Sequence, residues 1–383
     1  MSHFPTPARM LRELETPAAV VELDVLAGNL DRMAAYAALH GLALRPHVKT
    51  HKAPRIAAEQ LRLGAVGLTC ATPREVEVMG DVADDLLLAY PPVGRAKLVR
   101  LVSATAAVRF TVALDSVEAA RGLAAVAEQA ARPVGVYVEA DLGMHRVGLA
   151  SPEDCVALAS FVTENRWLEY RGVAFYPGHV RERVDQQGPA LARLGADLAR
   201  VLDALRAAGL RPPVVSGGST PAAWRMHEVP GVTEVRPGTY VYNDRTTAAI
   251  EACQWDEIAL TVLATVVSTA VPGQAVIDAG TKALGREPLP PLAGGGDAGY
   301  GALLDRPEVT VQRMSEEHGI LDLSRTQWRP AVGDVVRVVP NHACIVVHLN
   351  DVTYGVRGEI VETQWAVAAR GRERVSDAAA TSW

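Results

Sequence analysis

Aromatic side chains are scarce in this sequence. Phenylalanine, tyrosine and tryptophan make up 5% of 383 residues, against 49% hydrophobic residues in all. A core of that composition is aliphatic and built from many helix–sheet contacts. A basic excess is missing as well: the net charge of −6 leaves no positive stripe for a nucleic-acid backbone. No apolar run approaches the roughly 20 residues that span a bilayer. Residues Met1–Pro17 lack the apolar stretch of a secretory signal, so export is not expected. The only cysteines are Cys70, Cys155, Cys253 and Cys344, far apart and without a CxxC pair. That usage suits a reducing cytoplasm, with thiols acting mostly as small buried hydrophobes. The length allows two domains, or one barrel of about 250 residues with an appendage.

Strand-like and helical segments alternate over the first two thirds. Strands are expected at Leu42–Arg45, Val66–Cys70, Leu86–Tyr90, Val108–Leu114, Val134–Glu139, Tyr170–Phe175, Pro213–Val215 and Thr233–Val235. Between them lie Ala-, Leu-, Glu- and Arg-rich helical patterns such as Pro54–Leu63, Pro73–Gly80, Val117–Ala130 and Pro189–Ala208. Thr72 before Pro73 is a good N-cap followed by a proline at the first helical position. Eight such strands argue for an α/β fold, a (β/α)8 TIM-type barrel over residues 25–250, with an open doubly wound sheet as the rival. After Glu251 the texture changes to short β-rich runs at Val262–Ser268, Ala275–Asp278, Val309–Arg313, Val335–Val339, Ile345–Leu349 and Glu359–Trp365. These predict a second, mostly antiparallel β domain over residues 251–375, joined by residues 1–24 through the strand-like Ala19–Leu23. Pro288–Gly301, which contains Gly294-Gly295-Gly296, reads as a surface loop; Arg374–Trp383 is expected to fray.

Chemistry concentrates where the barrel strands end, the face that carries active sites in this architecture. Arg45-Pro46-His47-Val48-Lys49-Thr50-His51-Lys52 follows the first strand. Lys49 can form a Schiff base with an aldehyde cofactor if neighbouring cations lower its pKa, and His47, His51 and Lys52 are placed to do so. The plain alternative is a basic loop that holds a phosphate or faces water. Arg146 follows the fifth strand, and Tyr176, Gly178 and His179 follow the sixth. Gly217, Gly218, Ser219 and Thr220 follow the seventh, and Gly238, Thr239 and Tyr240 the eighth. Glycine-rich turns with hydroxyl donors at those last two positions are the usual phosphate cradle of a barrel. A lysine opposite a phosphate cradle points to pyridoxal 5'-phosphate (PLP). In the β domain, His342 and Cys344 lie two residues apart, so an extended strand would project both from one face. An imidazole and a thiolate so placed suit a divalent metal such as Zn²⁺, with positions left for water and substrate. A histidine beside a buried free cysteine is the plain alternative.

Taken together, the segments TPAAVVELDVLAGNL, RPHVKTHK, YPGH, VSGGSTP, TEVRPGTYVYND, DAGTKAL, SEEHG and PNHAC, spanning residues 16–344, resemble the D-threonine aldolase / D-serine dehydratase family. These are metal-activated PLP enzymes of fold type III, with an alanine-racemase-like barrel. The resemblance implies that Lys49 carries the cofactor and that Arg146 faces the pyridine nitrogen. It implies that Tyr176 contacts the ring and that Gly217–Thr220 with Gly238–Tyr240 hold the phosphate. It further implies that His342 and Cys344 bind Zn or Mn beside the substrate's β-hydroxyl. It implies a cytoplasmic homodimer acting on D-β-hydroxy amino acids. If His179 or a metal-bound hydroxide takes the hydroxyl proton, the reaction is the aldolase cleavage to glycine and an aldehyde. If Lys49 takes the α-proton, it is the dehydratase reaction on D-serine or 3-hydroxy-D-aspartate. YPGH leans to the aldolase and PNHAC to the dehydratases, and the aldolase is favoured. A racemase would need a second acid–base tyrosine, for which only Tyr300 or Tyr354 offers itself. A cofactor-binding protein without catalysis would not be expected to carry the β domain.

Overall fold

Eight short parallel strands form the first of two structural units in the computed structural model, which describes residues 9–289 and 298–372. Among the described residues this unit holds 33–238 and 368–372, and the other holds 9–32 and 239–367. Gly294–Gly296 of the expected loop and the expected frayed end at 374–383 lie outside the described residues.

The barrel strands are β1 Ala43–Leu44, β2 Leu68–Cys70, β3 Asp85–Leu88, β4 Arg109–Leu114, β5 Val134–Glu139, β6 Leu168–Ala174, β7 Val214–Gly217 and β8 Glu234–Val235. They pair in the order β1-β8-β7-β6-β5-β4-β3-β2, every neighbour parallel. The ring closes between β1 and β2 through Val66 N–H to Leu44 O at 2.9 Å and Thr69 N–H to Pro46 O at 2.9 Å. The expected (β/α)8 barrel is therefore formed, and the open-sheet rival is excluded. Sequence capping sets the helix starts. Thr72 Oγ1 accepts from Glu75 N–H, Ser116 Oγ from Ala119 N–H and Ser151 Oγ from Asp154 N–H, each satisfying a donor that the helix leaves orphaned. Pro54, Pro73 and Pro152 occupy first-turn positions, where a missing N–H costs nothing.

Inside the barrel, Leu87, Ala113, Tyr137 and Ala174 make one packed layer, small residues leaving room for the tyrosine. Beside the closure seam a largely buried ion cluster replaces apolar packing. Arg45 Nε donates to Glu234 Oε2 and Nη1 to Asp85 Oδ1, both at 2.8 Å, and Ser216 Oγ donates to Glu234 Oε1 at 2.6 Å. Burial opposes charge on Arg45, but Glu234 and Asp85 together hold its pKa above the ordinary range. A Cβ on Gly67 would lie 2.3 Å from Arg45 Nη1, so only glycine admits the guanidinium.

The second unit is a ten-stranded, mostly antiparallel sheet. Ala18–Glu22 pairs antiparallel with Leu260–Ser268 and parallel with Val352–Arg357, so the N-terminal strand joins this sheet as expected. One expectation fails. Ile345–Leu349 is not a strand: Ala343–Leu349 is a helix with His342 as its N-cap. The β-branched run Ile345-Val346-Val347 favours a strand by propensity, but helical spacing buries Ala343, Val346 and Val347 together. Tertiary burial overrides the local preference. No helix among the described residues is long and apolar enough to cross a membrane.

Candidate active site

Lys49 sits in a turn just beyond β1 that Lys52 N–H closes by donating to Val48 O at 2.8 Å. The cationic surroundings expected from His47, His51 and Lys52 do not materialise. His51 is fully buried, its Nδ1 accepts from Ala53 N–H at 3.1 Å, and burial lowers its pKa to about 3. Burial, with Lys49 next, also pushes His47 well below its usual value. Lys52 is buried in an ion pair with Glu75. Two of the three are therefore neutral, and the third is paired.

Two cations instead gather on the ring of Tyr176, which follows β6. Lys49 Nζ lies 5.7 Å from the ring centroid and the Arg146 guanidinium 4.7 Å, within cation–π reach. Gly178 permits this, because a Cβ there would lie 2.2 Å from Tyr176 Cε1. Arg146 stands on a loop organised by Asp141, whose carboxylate accepts from Gly143 N–H and His145 N–H at 3.0 Å each and pairs with His145 Nδ1 at 2.9 Å. Desolvation works against that carboxylate, but the two N–H donors hold its pKa below the usual value. His179 is exposed and packs against Gly143, where a Cβ would lie 3.2 Å from the imidazole. It lines a cleft of about 630 Å³ with Asp141, His145, Glu182 and Arg193.

The turn after β7 fits a phosphate. Gly217, Gly218, Ser219 and Thr220 are buried, and the N–H groups of Gly218 and Ser219 make no hydrogen bond among the described residues. Buried amides without partners are rare, and a φ of +103° turns Gly218 in a way that other residues resist. A Cβ on Gly217 would strike the Phe175 ring at 2.1 Å. Gly238 differs from expectation: its N–H is already used, donating to Thr220 Oγ1 at 3.2 Å. Its lack of a side chain matters instead, since a Cβ would lie 3.0 Å from Thr50 Oγ1 and 3.1 Å from His47 O. These features fit PLP: a primary amine beside an aromatic face and a glycine-built anion cradle in one barrel mouth.

In the other unit, Thr239 and Tyr240 begin the short 3-10 turn Thr239–Val241. Thr239 Oγ1 lies 3.9 Å from Cys344 Sγ. His342 and Cys344 come together at a helix start rather than along a strand, so the proximity holds while the alternation argument for it does not. The residue missed by sequence reasoning is Asp244. Fully buried, it faces His342 Nδ1 at 3.1 Å and accepts from Ala343 N–H at 3.1 Å. It also caps the helix Arg245–Ala249 by accepting from Thr247 N–H at 2.9 Å. An Asp followed three residues later by a hydroxyl residue was the available signal. Burial disfavours a charged His342, but Cys344 and Asp244 outweigh it and raise its pKa to about 11. With Nδ1 engaged by a carboxylate, Nε2 and the Cys344 sulfur form a two-donor set of the kind that binds a borderline-soft divalent metal. Among the described residues no group of three or more His, Cys, Asp and Glu side chains is placed to hold a metal. The other cysteines are inert: burial pushes Cys155 to about 12, Cys253 to about 11 and Cys70 well above its usual value.

A (β/α)8 barrel with a lysine after its first strand and an anion cradle after its seventh defines the alanine-racemase-like class. The alanine racemase N-terminal domain model matches residues 21–246, and the putative serine dehydratase domain model matches residues 259–356. The chain is 32% identical over 380 residues to a D-threonine aldolase of Arthrobacter sp, covering 96% of each chain. It is 35% identical over 350 residues to the D-threo-3-hydroxyaspartate dehydratase of Delftia sp. (strain HT23), covering 87% of this chain and 92% of that one. The crystal structure of D-threonine aldolase from Filomicrobium marinum superposes with a TM-score of 0.85 at 34% identity, covering 95% of this chain and 99% of that one. The chain belongs to the D-threonine aldolase / D-serine dehydratase family, the group it resembles by motif.

Proposed function

We propose that this protein is a PLP- and divalent-metal-dependent lyase that cleaves D-β-hydroxy amino acids to glycine and an aldehyde, with D-threonine as the first substrate to test. The observation that carries the reading is the convergence of Lys49, Arg146 and the unbonded Gly218 and Ser219 amides in one barrel mouth, in a chain matched along its length by aldolases and dehydratases. PLP, when bound, supplies an electron sink for the bond broken at Cα, and the metal supplies a Lewis acid for the β-oxygen.

The chain's own residues do the rest. Lys49 provides the amine that anchors the cofactor. Arg146 would face the ring nitrogen with its guanidinium. Tyr176 would pack against the ring, and Gly217–Thr220 would bind the phosphate. His342 and Cys344 hold Zn or Mn, and Asp244 orients the imidazole. His179 accepts the β-hydroxyl proton. Where Lys49 takes the α-proton instead, the same residues perform dehydration to ammonia and a 2-oxo acid. Cys344 as a metal donor is the feature that favours this second reading. The protein acts as a cytoplasmic homodimer.

Product analysis on purified holoprotein with Mn²⁺ or Zn²⁺ tests the reading. Glycine and acetaldehyde from D-threonine are expected; 2-oxobutyrate with ammonia would replace the aldolase by the dehydratase. Lys49→Ala should remove the yellow band of covalently bound cofactor and lower turnover by at least about a thousandfold. Persistence of that band would overturn the assignment of Lys49.

A further inference from the structure

Lys52 lies three residues beyond Lys49 and carries an unusual backbone. Its φ is +51°, a left-handed conformation that side-chain-bearing residues avoid and that costs on the order of 1 kcal/mol. The strain sits at the end of the turn that presents Lys49: the N–H of Lys52 closes that turn on Val48 O at 2.8 Å. Its carbonyl accepts from Ala369 N–H at 3.1 Å. Its side chain is drawn inward to Glu75, which is fully buried. Glu75 is itself fixed, because Oε2 accepts from Ala71 N–H at 2.6 Å and its own N–H donates to Thr72 Oγ1 at 3.2 Å. Ala71 directly follows β2, the strand on which the barrel closes. The pair therefore ties the turn after β1 to the chain leaving β2.

A buried ion pair contributes little net stability, since desolvation consumes most of its attraction. A stability role alone does not explain a pair that also holds a lysine in left-handed backbone. We propose that Lys52 and Glu75 are positioning residues: their buried pair locks the strained end of the turn, so that Lys49 Nζ is presented to the cofactor in one orientation. The proposal rests on Lys49 being the cofactor-bearing lysine.

Glu75→Gln alone strands a buried ammonium and risks unfolding. The decisive variant is therefore Lys52→Met/Glu75→Gln, which removes both charges and keeps an acceptor for Ala71 N–H. Three quantities are measured on the full chain: melting temperature without cofactor, PLP affinity, and the induced circular dichroism of bound cofactor. The expected result is an unchanged melting temperature, an affinity weaker by about tenfold, equivalent to about 1.4 kcal/mol, and a weaker dichroism per bound cofactor. Wild-type affinity and dichroism in the double variant would overturn the proposal. So would a loss of affinity accompanied by a lower melting temperature with the dichroism unchanged, because the pair would then be structural only. Lys49→Ala separates the two ideas: a retained cofactor band there sinks the Lys49 assignment, whatever the double variant does.

Discussion

Two histidines, one in each unit, have opposite fates. His51 in the barrel is fully buried and neutral, its pKa lowered to about 3 by desolvation. Half-buried His342 in the β unit is raised to about 11 despite desolvation. Both lie in short His-containing motifs, and both have their Nδ1 engaged. The difference is the charge of the partners. His51 accepts from a backbone N–H beside Lys52, whereas His342 stands between a carboxylate and a thiol. A buried histidine with only dipolar partners is a fixed acceptor. One flanked by a carboxylate and a sulfur donor suits a cation.

The same rule governs Arg45, a cation held by two carboxylates, and removing it should have the largest effect. Arg45→Met leaves Glu234 without its buried cationic partner, while Asp85 keeps Arg109 at 3.6 Å, and should cost about 3–5 kcal/mol in denaturant unfolding. A loss under 1 kcal/mol would mean that the cluster is hydrated.

Asp244→Asn breaks the anionic side of His342 while keeping the cap on Arg245–Ala249. Metal affinity should fall about 10- to 100-fold by competition titration, with unfolding little changed. An unaltered affinity would remove His342 from the metal site or Asp244 from its support.

His51→Gln probes the neutral side. The folded-state value lies below the unfolded one, so the unfolded chain binds more protons between pH 6.5 and 3. Stability therefore falls as pH drops through that window. The variant should escape about 1.4 kcal/mol of this loss between pH 7 and pH 5.5. Parallel losses in both proteins would show that His51 is protonated in the native state.

Much of the barrel was legible because its signals are local. Thr72-Pro73 marks a helix start, and runs such as Val134–Glu139 mark strands buried throughout. The misread segment was Ile345–Leu349, where a β-branched run meets a helical burial pattern. That error also supplied the wrong reason for grouping His342 with Cys344.

The sequence by itself determined the strand–helix alternation, the glycines at the two turns and the motif order that places the chain in its family. Each is set by local backbone preference or by residue identity. Only the tertiary structure decided which charges survive. It silenced His47 and His51 by burial, paired Lys52 with Glu75, joined Arg45 to Glu234 across 189 positions, and brought Asp244 to His342 across 98. Charge states depend on desolvation and on partners within a few ångströms, and both are properties of folded space rather than of sequence distance.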